Sequence, residues 1–183
     1  LQGFLCSIFK LQPEQLRVIV GDVGGGFGTK VAIYPEDILV VYAAKKLNRP
    51  IKWTATRTEE FQASVHGRDH INVAELACDP EGRILALKVN TLANTGAYLI
   101  NPALLIPLGL MSKVITSVYD IPAIYLETYC ILTNTAPIGA YRGAGRPEGI
   151  YPMERLIDMT AREMGIDPVI MRRRNLIRSE NLP

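Results

Sequence analysis

A glycine-rich segment, GDVGGGFGTK at 21–30, places five glycines within eight consecutive positions of the 183-residue sequence. Glycine permits positive backbone φ angles and lets N–H groups approach a ligand with no β-carbon in between. N–H groups exposed in this way bind anions and oxo ligands. The GGFG at 25–28 is therefore a candidate ligand-binding loop, and the alternative is a tight turn that joins a strand to a helix.

Two common phosphate-binding motifs do not fit this segment. The pattern GxxxxGK followed by Ser or Thr fails because Thr29 separates Gly28 from Lys30, and no three glycines have the GxGxxG spacing. We therefore expect the loop to hold a group other than a nucleoside triphosphate or a nicotinamide dinucleotide.

A second motif, AYRGAGRPE at Ala140 to Glu148, combines two arginines with two glycines. Guanidinium groups donate paired hydrogen bonds to anionic oxygens, and the glycines allow a ligand to come close. The sequence thus predicts a second ligand-binding loop roughly 110 residues after the first. The alternative is a loop whose arginines cap the helix that follows.

The strands and helices around the two loops do not follow a repeating βαβ order, which predicts an α+β fold with a mixed sheet and packed helices. The predicted strands are 16–20, 51–56, 71–77, 83–92 and 123–132, with 71–77 and 83–92 forming a hairpin. Helices are predicted at 35–47, along an apolar stripe from Met153 to Met164 that stops at Gly165, and after the N-cap Asp167.

Three further expectations concern how these elements pack. The helix at 35–47 carries apolar side chains around most of its circumference, so we expect it to be buried on several sides. Trp53 is expected in the core. Pro152 interrupts the apolar stripe, so that helix is expected either to begin near Pro152 or to kink there.

The composition excludes several classes of protein. A net charge of +2 argues against a nucleic-acid binder, and we interpret the basic cluster of Arg172 to Arg174 with Arg178 as a solvated face or a subunit contact. No apolar run approaches the ~20 residues of a membrane span. Cys6, Cys78 and Cys130 form neither a disulfide framework nor a zinc spacing, so we expect a cytoplasmic, reducing compartment.

Together the two loops resemble those of molybdopterin-binding large subunits in the xanthine dehydrogenase and aldehyde oxidase family, which includes carbon monoxide dehydrogenase large chains. The resemblance runs from about residue 16 onward and includes the segments between and after the loops. These are RPIKW at 49–53, TRTEEF at 56–61, NTGAY at 94–98, YDIP at 119–122, ERLIDMTAREMGIDP at 154–168 and RRRNLI at 172–177.

The resemblance implies that the loops hold a molybdenum–molybdopterin cofactor, in its cytosine dinucleotide form. The residues implied to bind it are Gly25, Gly26, Phe27, Gly28, Arg142 and Gly143. The backbone N–H groups of Phe27 and Arg142 are expected beside ligands of the molybdenum, and Tyr141 and Ala144 are expected to line the substrate pocket. No catalytic residue is expected here, because the family's general-base glutamate belongs to a GxGE motif that these residues lack.

Four departures from the family pattern limit the range of substrates that we expect. Gly143 stands where copper-containing carbon monoxide dehydrogenases have a cysteine. Val31 and Ala144 replace an acid and a phenylalanine of the purine hydroxylases, and Leu110 stands where those enzymes have an arginine. Because a purine would lose polar partners on binding, we expect an aldehyde or an N-heterocycle, oxidised with oxygen derived from water.

The resemblance further implies partner subunits that carry iron–sulfur clusters and FAD, in a dimer of heterotrimers that acts on a small molecule. We interpret residues 1–183 as a fragment of the cofactor-binding region, cut at both ends and inactive in isolation. The alternative is a non-catalytic or scaffold homologue of the large subunit.

Three side chains have simpler expected roles. His66 and His70, four residues apart, would suit a metal only on a helix, and Gly67 with the strand-like sequence after Asp69 argues against one. Glu148 is interpreted as a residue that compensates the dipole in the first turn of a helix, not as the catalytic base.

Overall fold

The computed structural model describes residues 1–181, and a three-stranded mixed sheet lies at its centre. The strands are β1 (His70–Cys78), β2 (Ile84–Gly96) and β3 (Ile124–Leu132), in the order β1-β2-β3. β1 and β2 form an antiparallel hairpin, and β3 runs parallel to β2. The predicted hairpin, the third strand and the α+β class are confirmed.

Five α-helices accompany the sheet in the described part of the chain. They are α1 (Gln2–Phe9), α2 (Pro35–Leu47), α3 (Arg57–Ala63), α4 (Arg146–Glu163) and α5 (Pro168–Asn175). α2 begins at Pro35 and ends at Leu47, and the next residue, Asn48, adopts the left-handed conformation common at helix C-termini. Asp167 caps α5 by accepting hydrogen bonds from the amides of Val169 and Ile170. None of the helices within residues 1–181 has the length and hydropathy of a membrane span.

The core forms where α4 and α5 pack against one face of the sheet. Its buried members are Ile84, Leu87, Val89, Ile115, Tyr119, Met153, Ile157, Ala161 and Met171. Burying an aliphatic side chain of this size stabilises a fold by about 1.5–3 kcal/mol, so this cluster holds α4, and the loop before it, against the sheet. α4 starts at Arg146 and continues through Pro152, so the expectation that it begins near Pro152 is wrong.

Four expectations for the N-terminal third are also wrong. Residues 16–20 and 51–56 form no strand, and Val20 and Trp53 are 75% and 50% exposed. α2 contains no buried residue. A β-branched run becomes a strand only where another strand pairs with its backbone, and neither segment pairs with the three described strands.

Candidate functional site

The two glycine-rich loops are in contact, although most of the chain separates them in sequence. Gly28 lies against the backbone of Ala140 and Tyr141, and a β-carbon on Gly28 would stand 2.8 Å from the Tyr141 Cα. The Arg142 guanidinium lies 5.9 Å from the centre of the Phe27 ring, within the range of a cation–π interaction. The tertiary structure thus joins the two motifs into one surface.

The first loop has an irregular backbone that its own hydrogen bonds hold. Gly25, Phe27 and Gly28 have φ angles of +116°, +44° and +107°. The Thr29 hydroxyl donates to the Gly26 carbonyl at 3.0 Å, and the Tyr34 hydroxyl donates to the Thr29 carbonyl at 2.8 Å. Positive φ at a bulky residue such as Phe27 is strained and persists only where the surroundings enforce it.

The second loop turns sharply into the N-terminus of α4. Gly143, Ala144 and Gly145 have φ angles of +98°, +22° and +86°. The Ala144 amide donates to the Tyr141 carbonyl at 2.8 Å, and the Arg146 amide donates to the Gly143 carbonyl at 3.2 Å. This arrangement presents the backbone on either side of Arg142 at the surface that faces the first loop.

Two backbone donors in this surface are free to bind a ligand. Within residues 1–181, the N–H groups of Phe27 and Arg142 donate no hydrogen bond to another backbone group. Unpaired N–H groups in a glycine-rich turn form a concave site for anions. The two loops can lie this close only because position 28 is a glycine, since a β-carbon there would collide with the Ala140 carbonyl. The surface therefore fits a cofactor with anionic oxygens.

A short segment before β1 ties the two loops together. The Tyr34 hydroxyl, which reaches the first loop, also accepts a hydrogen bond from the Val65 amide at 3.3 Å. His66 exchanges backbone hydrogen bonds with Pro137 at 2.9 Å and Gly139 at 2.7 Å, just before the second loop. Burial raises the pKa of the Tyr34 hydroxyl, which keeps its proton available for donation. The loops are thus held through residues that the motifs themselves do not include.

Arg68 is the residue that sequence reasoning missed. Its guanidinium donates a hydrogen bond to the Arg142 carbonyl and lies 4.9 Å from the centre of the Tyr141 ring. Its Nε lies 3.8 Å from Oε1 of Glu148. A single arginine outside any periodic pattern has no sequence signal, and only its flanking Gly67, into whose space the Tyr141 side chain packs, hints at close approach.

The structure also places the acidic, histidine and tyrosine side chains that the sequence singled out. Glu148 lies in the first turn of α4 and is 9% exposed, which confirms its expected place at a helix start. His66 and His70 lie in extended backbone, and no group of three potential metal-binding His, Cys, Asp or Glu side chains exists within residues 1–181. Tyr141 is 48% exposed at the surface of the second loop.

The basic cluster near the C-terminus is not simply a solvated face. Arg172 forms ion pairs of 2.8 Å with both Glu154 and Asp158 on α4, and so joins α5 to α4. These carboxylates explain its position, because a guanidinium can bridge two acceptors with separate N–H groups. For Arg172 these ion pairs within the chain replace the expected fully solvated side chain, while Arg178 remains exposed. A subunit contact through this basic cluster stays a prediction.

The fold and the paired loops define a cofactor-binding domain of α+β type. Residues 1–176 match the family model described as "Molybdopterin cofactor-binding domain", and the chain belongs to this family. It is 35% identical, over 98% of its length, to the 6-hydroxypseudooxynicotine dehydrogenase complex subunit gamma of Paenarthrobacter nicotinovorans. It is 38% identical, over 93% of its length, to the carbon monoxide dehydrogenase large chain of Hydrogenophaga pseudoflava.

A solved structure agrees in detail. The quinoline 2-oxidoreductase of Pseudomonas putida 86 superposes on all of this chain with a TM-score of 0.94 and 37% identity, and 23% of that structure is covered. The chain likewise spans 22% of the length of each of the two relatives named above. It therefore corresponds to one part of a large subunit of the xanthine dehydrogenase and carbon monoxide dehydrogenase family.

Proposed function

We propose that this chain is part of a molybdenum hydroxylase and that its two loops together hold the molybdopterin cofactor. One observation carries the proposal: the contact between Gly28 and the Ala140–Tyr141 backbone brings the unpaired amides of Phe27 and Arg142 to one surface. The match to a molybdopterin cofactor-binding domain supports the identity of the ligand.

The bound cofactor would supply the redox chemistry, the oxidation of an electron-poor carbon with oxygen derived from water. This chain supplies binding and orientation. The N–H groups of Phe27 and Arg142 would donate to anionic oxygens of the cofactor, and Gly25, Gly26 and Gly143 would form the loop backbone around it, with positive φ at Gly25 and Gly143. Glu148 takes no part as a base, because it is buried beside Arg68.

The second loop also bears on the substrate. A β-carbon on Gly143 would stand 2.9 Å from Cδ of Pro147, at a φ of +98°, so a copper-binding cysteine is both absent and poorly accommodated there. Val31 and Ala144 stand where the purine hydroxylases have an acid and a phenylalanine. Tyr141 and Ala144 would line the substrate pocket. Relatives named nicotine 6-hydroxylase and quinoline 2-oxidoreductase support an N-heterocycle, with an aldehyde as the other candidate.

The complete protein would pass electrons to partner subunits that carry iron–sulfur clusters and FAD, in a dimer of heterotrimers in the cytoplasm. The relatives named as a complex subunit and a large chain support such an assembly. The three cysteines of this chain are unpaired and dispersed, whereas an iron–sulfur centre needs grouped thiolates. The clusters would therefore be held elsewhere.

Elemental and nucleotide analysis of the complete, co-expressed enzyme tests the proposal. We expect stoichiometric molybdenum, no copper, and cytidine monophosphate on hydrolysis of the cofactor. Turnover should be faster with N-heterocycles or aldehydes than with xanthine or carbon monoxide. A folded subunit without molybdenum would support the scaffold alternative, and stoichiometric copper or a preference for xanthine would contradict the substrate assignment.

A further inference from the structure

We infer that Arg68 is a positioning residue that fixes the backbone around Arg142 and thereby aims the second loop at the cofactor. The inference rests on the proposed function, in which the Arg142 amide faces that cofactor. Arg68 lies 74 positions before Arg142, outside both glycine-rich motifs.

The contacts of Arg68 hold Arg142 from both sides. The hydrogen bond from its guanidinium to the Arg142 carbonyl sets the orientation of the peptide that follows Arg142. The guanidinium also covers the ring of Tyr141, the residue before Arg142, at 4.9 Å from the ring centre. With both neighbours of Arg142 constrained, the direction of its N–H group is constrained as well.

Arg68 is itself anchored to the sheet. It adopts a left-handed conformation, with φ of +62°, just before β1 begins. The adjacent Asp69 accepts two hydrogen bonds from Asn94 on β2, one at 2.9 Å from the Asn94 backbone amide and one at 2.7 Å from its side chain. Since β1 and β2 form one hairpin, the guanidinium projects from a rigid base.

A second anchor lies on α4. Glu148, whose side chain is 5% exposed, stands 3.8 Å from the Arg68 Nε, and α4 packs into the main core. The second loop therefore passes between two rigid elements that Arg68 connects. Lysine would keep the charge facing Glu148, but it lacks the planar group that can stack on Tyr141 while donating to a carbonyl.

The test uses the complete holoenzyme with Arg68→Lys and a matched control, Arg172→Lys. Both substitutions keep the charge and remove a guanidinium fork, but the hydrogen-bond partners of Arg172 lie in α4 and α5. For Arg68→Lys we expect faster amide hydrogen exchange at 141–146, altered g-values of the molybdenum(V) electron paramagnetic resonance signal, and about tenfold or greater loss of molybdenum at limiting supply.

The control should match wild type in loading, spectrum and loop exchange, and differ only in thermal midpoint. Unchanged loop exchange and loading in Arg68→Lys would overturn the inference. If wild type itself contains no molybdenum, the proposed function fails, whereas faster exchange at 141–146 in Arg68→Lys would still support the positioning role.

Glu148→Gln covers the case in which Arg68→Lys does not fold. This variant retains the contacts of Arg68 with Arg142 and Tyr141 and removes only the charge that faces its Nε. We expect faster amide exchange at 141–146 than in the wild-type protein. Wild-type exchange in a folded Glu148→Gln variant would count against the two-anchor arrangement.

Discussion

Gly28 packs so closely on Tyr141 that a β-carbon at position 28 would lie 2.8 Å from the Tyr141 Cα and would collide with the Ala140 carbonyl. The φ of +107° at Gly28 adds strain for any other residue. This contact is what makes two distant motifs a single surface. By contrast, a β-carbon on Gly24 in the same segment would meet no other atom within 4 Å.

The first prediction compares alanine at these two glycines. Gly28→Ala in the complete subunit should push the loops apart and reduce the molybdenum content at least about tenfold, as expected when groups that support a metal site are lost. Gly24→Ala should retain wild-type loading. Equal loading of the two variants, measured by elemental analysis of folded protein, would show that the contact does not matter for the cofactor.

The second prediction concerns Asn175, which joins α5 to the hairpin. Its side chain accepts a hydrogen bond from the Ile84 amide at 2.8 Å and donates to the carbonyls of Gly82 and Met171 at 2.8 and 2.9 Å. Asn175→Ala would leave these buried groups unpaired, at a cost of about 1–3 kcal/mol. We expect a clearly lower thermal midpoint, and little change for the exposed Asn181→Ala. Similar midpoints for both variants would contradict this role.

The third prediction concerns stability at alkaline pH. The Tyr119 hydroxyl donates to Glu154 at 2.7 Å, and burial, followed by this hydrogen bond, raises the pKa of Tyr119 to about 12. Because the fold favours the neutral phenol, Tyr119 contributes fully to stability below about pH 10, the ordinary pKa of tyrosine. This contribution is lost as the pH rises toward 12.

Tyr119→Phe should therefore lower the free energy of unfolding by about 1 kcal/mol at neutral pH, because the hydrogen bond is lost. Between about pH 10 and 12 the variant should lose less stability than the wild-type protein, because it has no phenol to ionise. Thermal midpoints across this range measure both effects. Tyr125→Phe, on an exposed tyrosine of β3, serves as the control. A steeper alkaline loss in Tyr119→Phe than in wild type would disprove the assignment.

The fourth prediction concerns mildly acidic pH. Burial lowers the pKa of His70, and the charges of Glu148 and Asp69 offset this only in part. The fold thus favours neutral His70, while the unfolded chain takes up a proton near pH 6.5. Stability should fall as pH drops below about 6.5. His70→Gln should flatten this dependence between about pH 5 and 7. An unchanged pH profile in His70→Gln would refute the prediction.

The elements that could be predicted from the sequence are those that local interactions specify. Pro80 and Gly82 mark the hairpin, Pro35 begins α2, and Asp167 caps α5. Each signal acts within a few residues, through a fixed φ, a positive φ or a side chain that binds a nearby amide. Such signals do not depend on the rest of the chain.

Most of the wrong predictions depended on distant partners. The β-branched run at 16–20 and the segment around Trp53 resemble strands in composition, but neither lies beside a strand of the sheet. The basic side chain of Arg172 resembles a surface residue, but Glu154 and Asp158 lie opposite it. Composition specifies what a segment is able to do, and the neighbours that the fold supplies decide whether it does so.

The candidate site likewise has features that local sequence specifies and features that depend on tertiary packing. The residue types of GDVGGGFGTK and AYRGAGRPE indicated loops whose backbone can approach an anionic ligand, and the resemblance of both motifs to known sequences indicated the family. The contact of Gly28 with Tyr141 and the reach of Arg68 to Arg142 were decided only by the tertiary structure. Both join residues far apart in sequence, whose proximity depends on how the hairpin and α4 pack, and no local pattern encodes that packing.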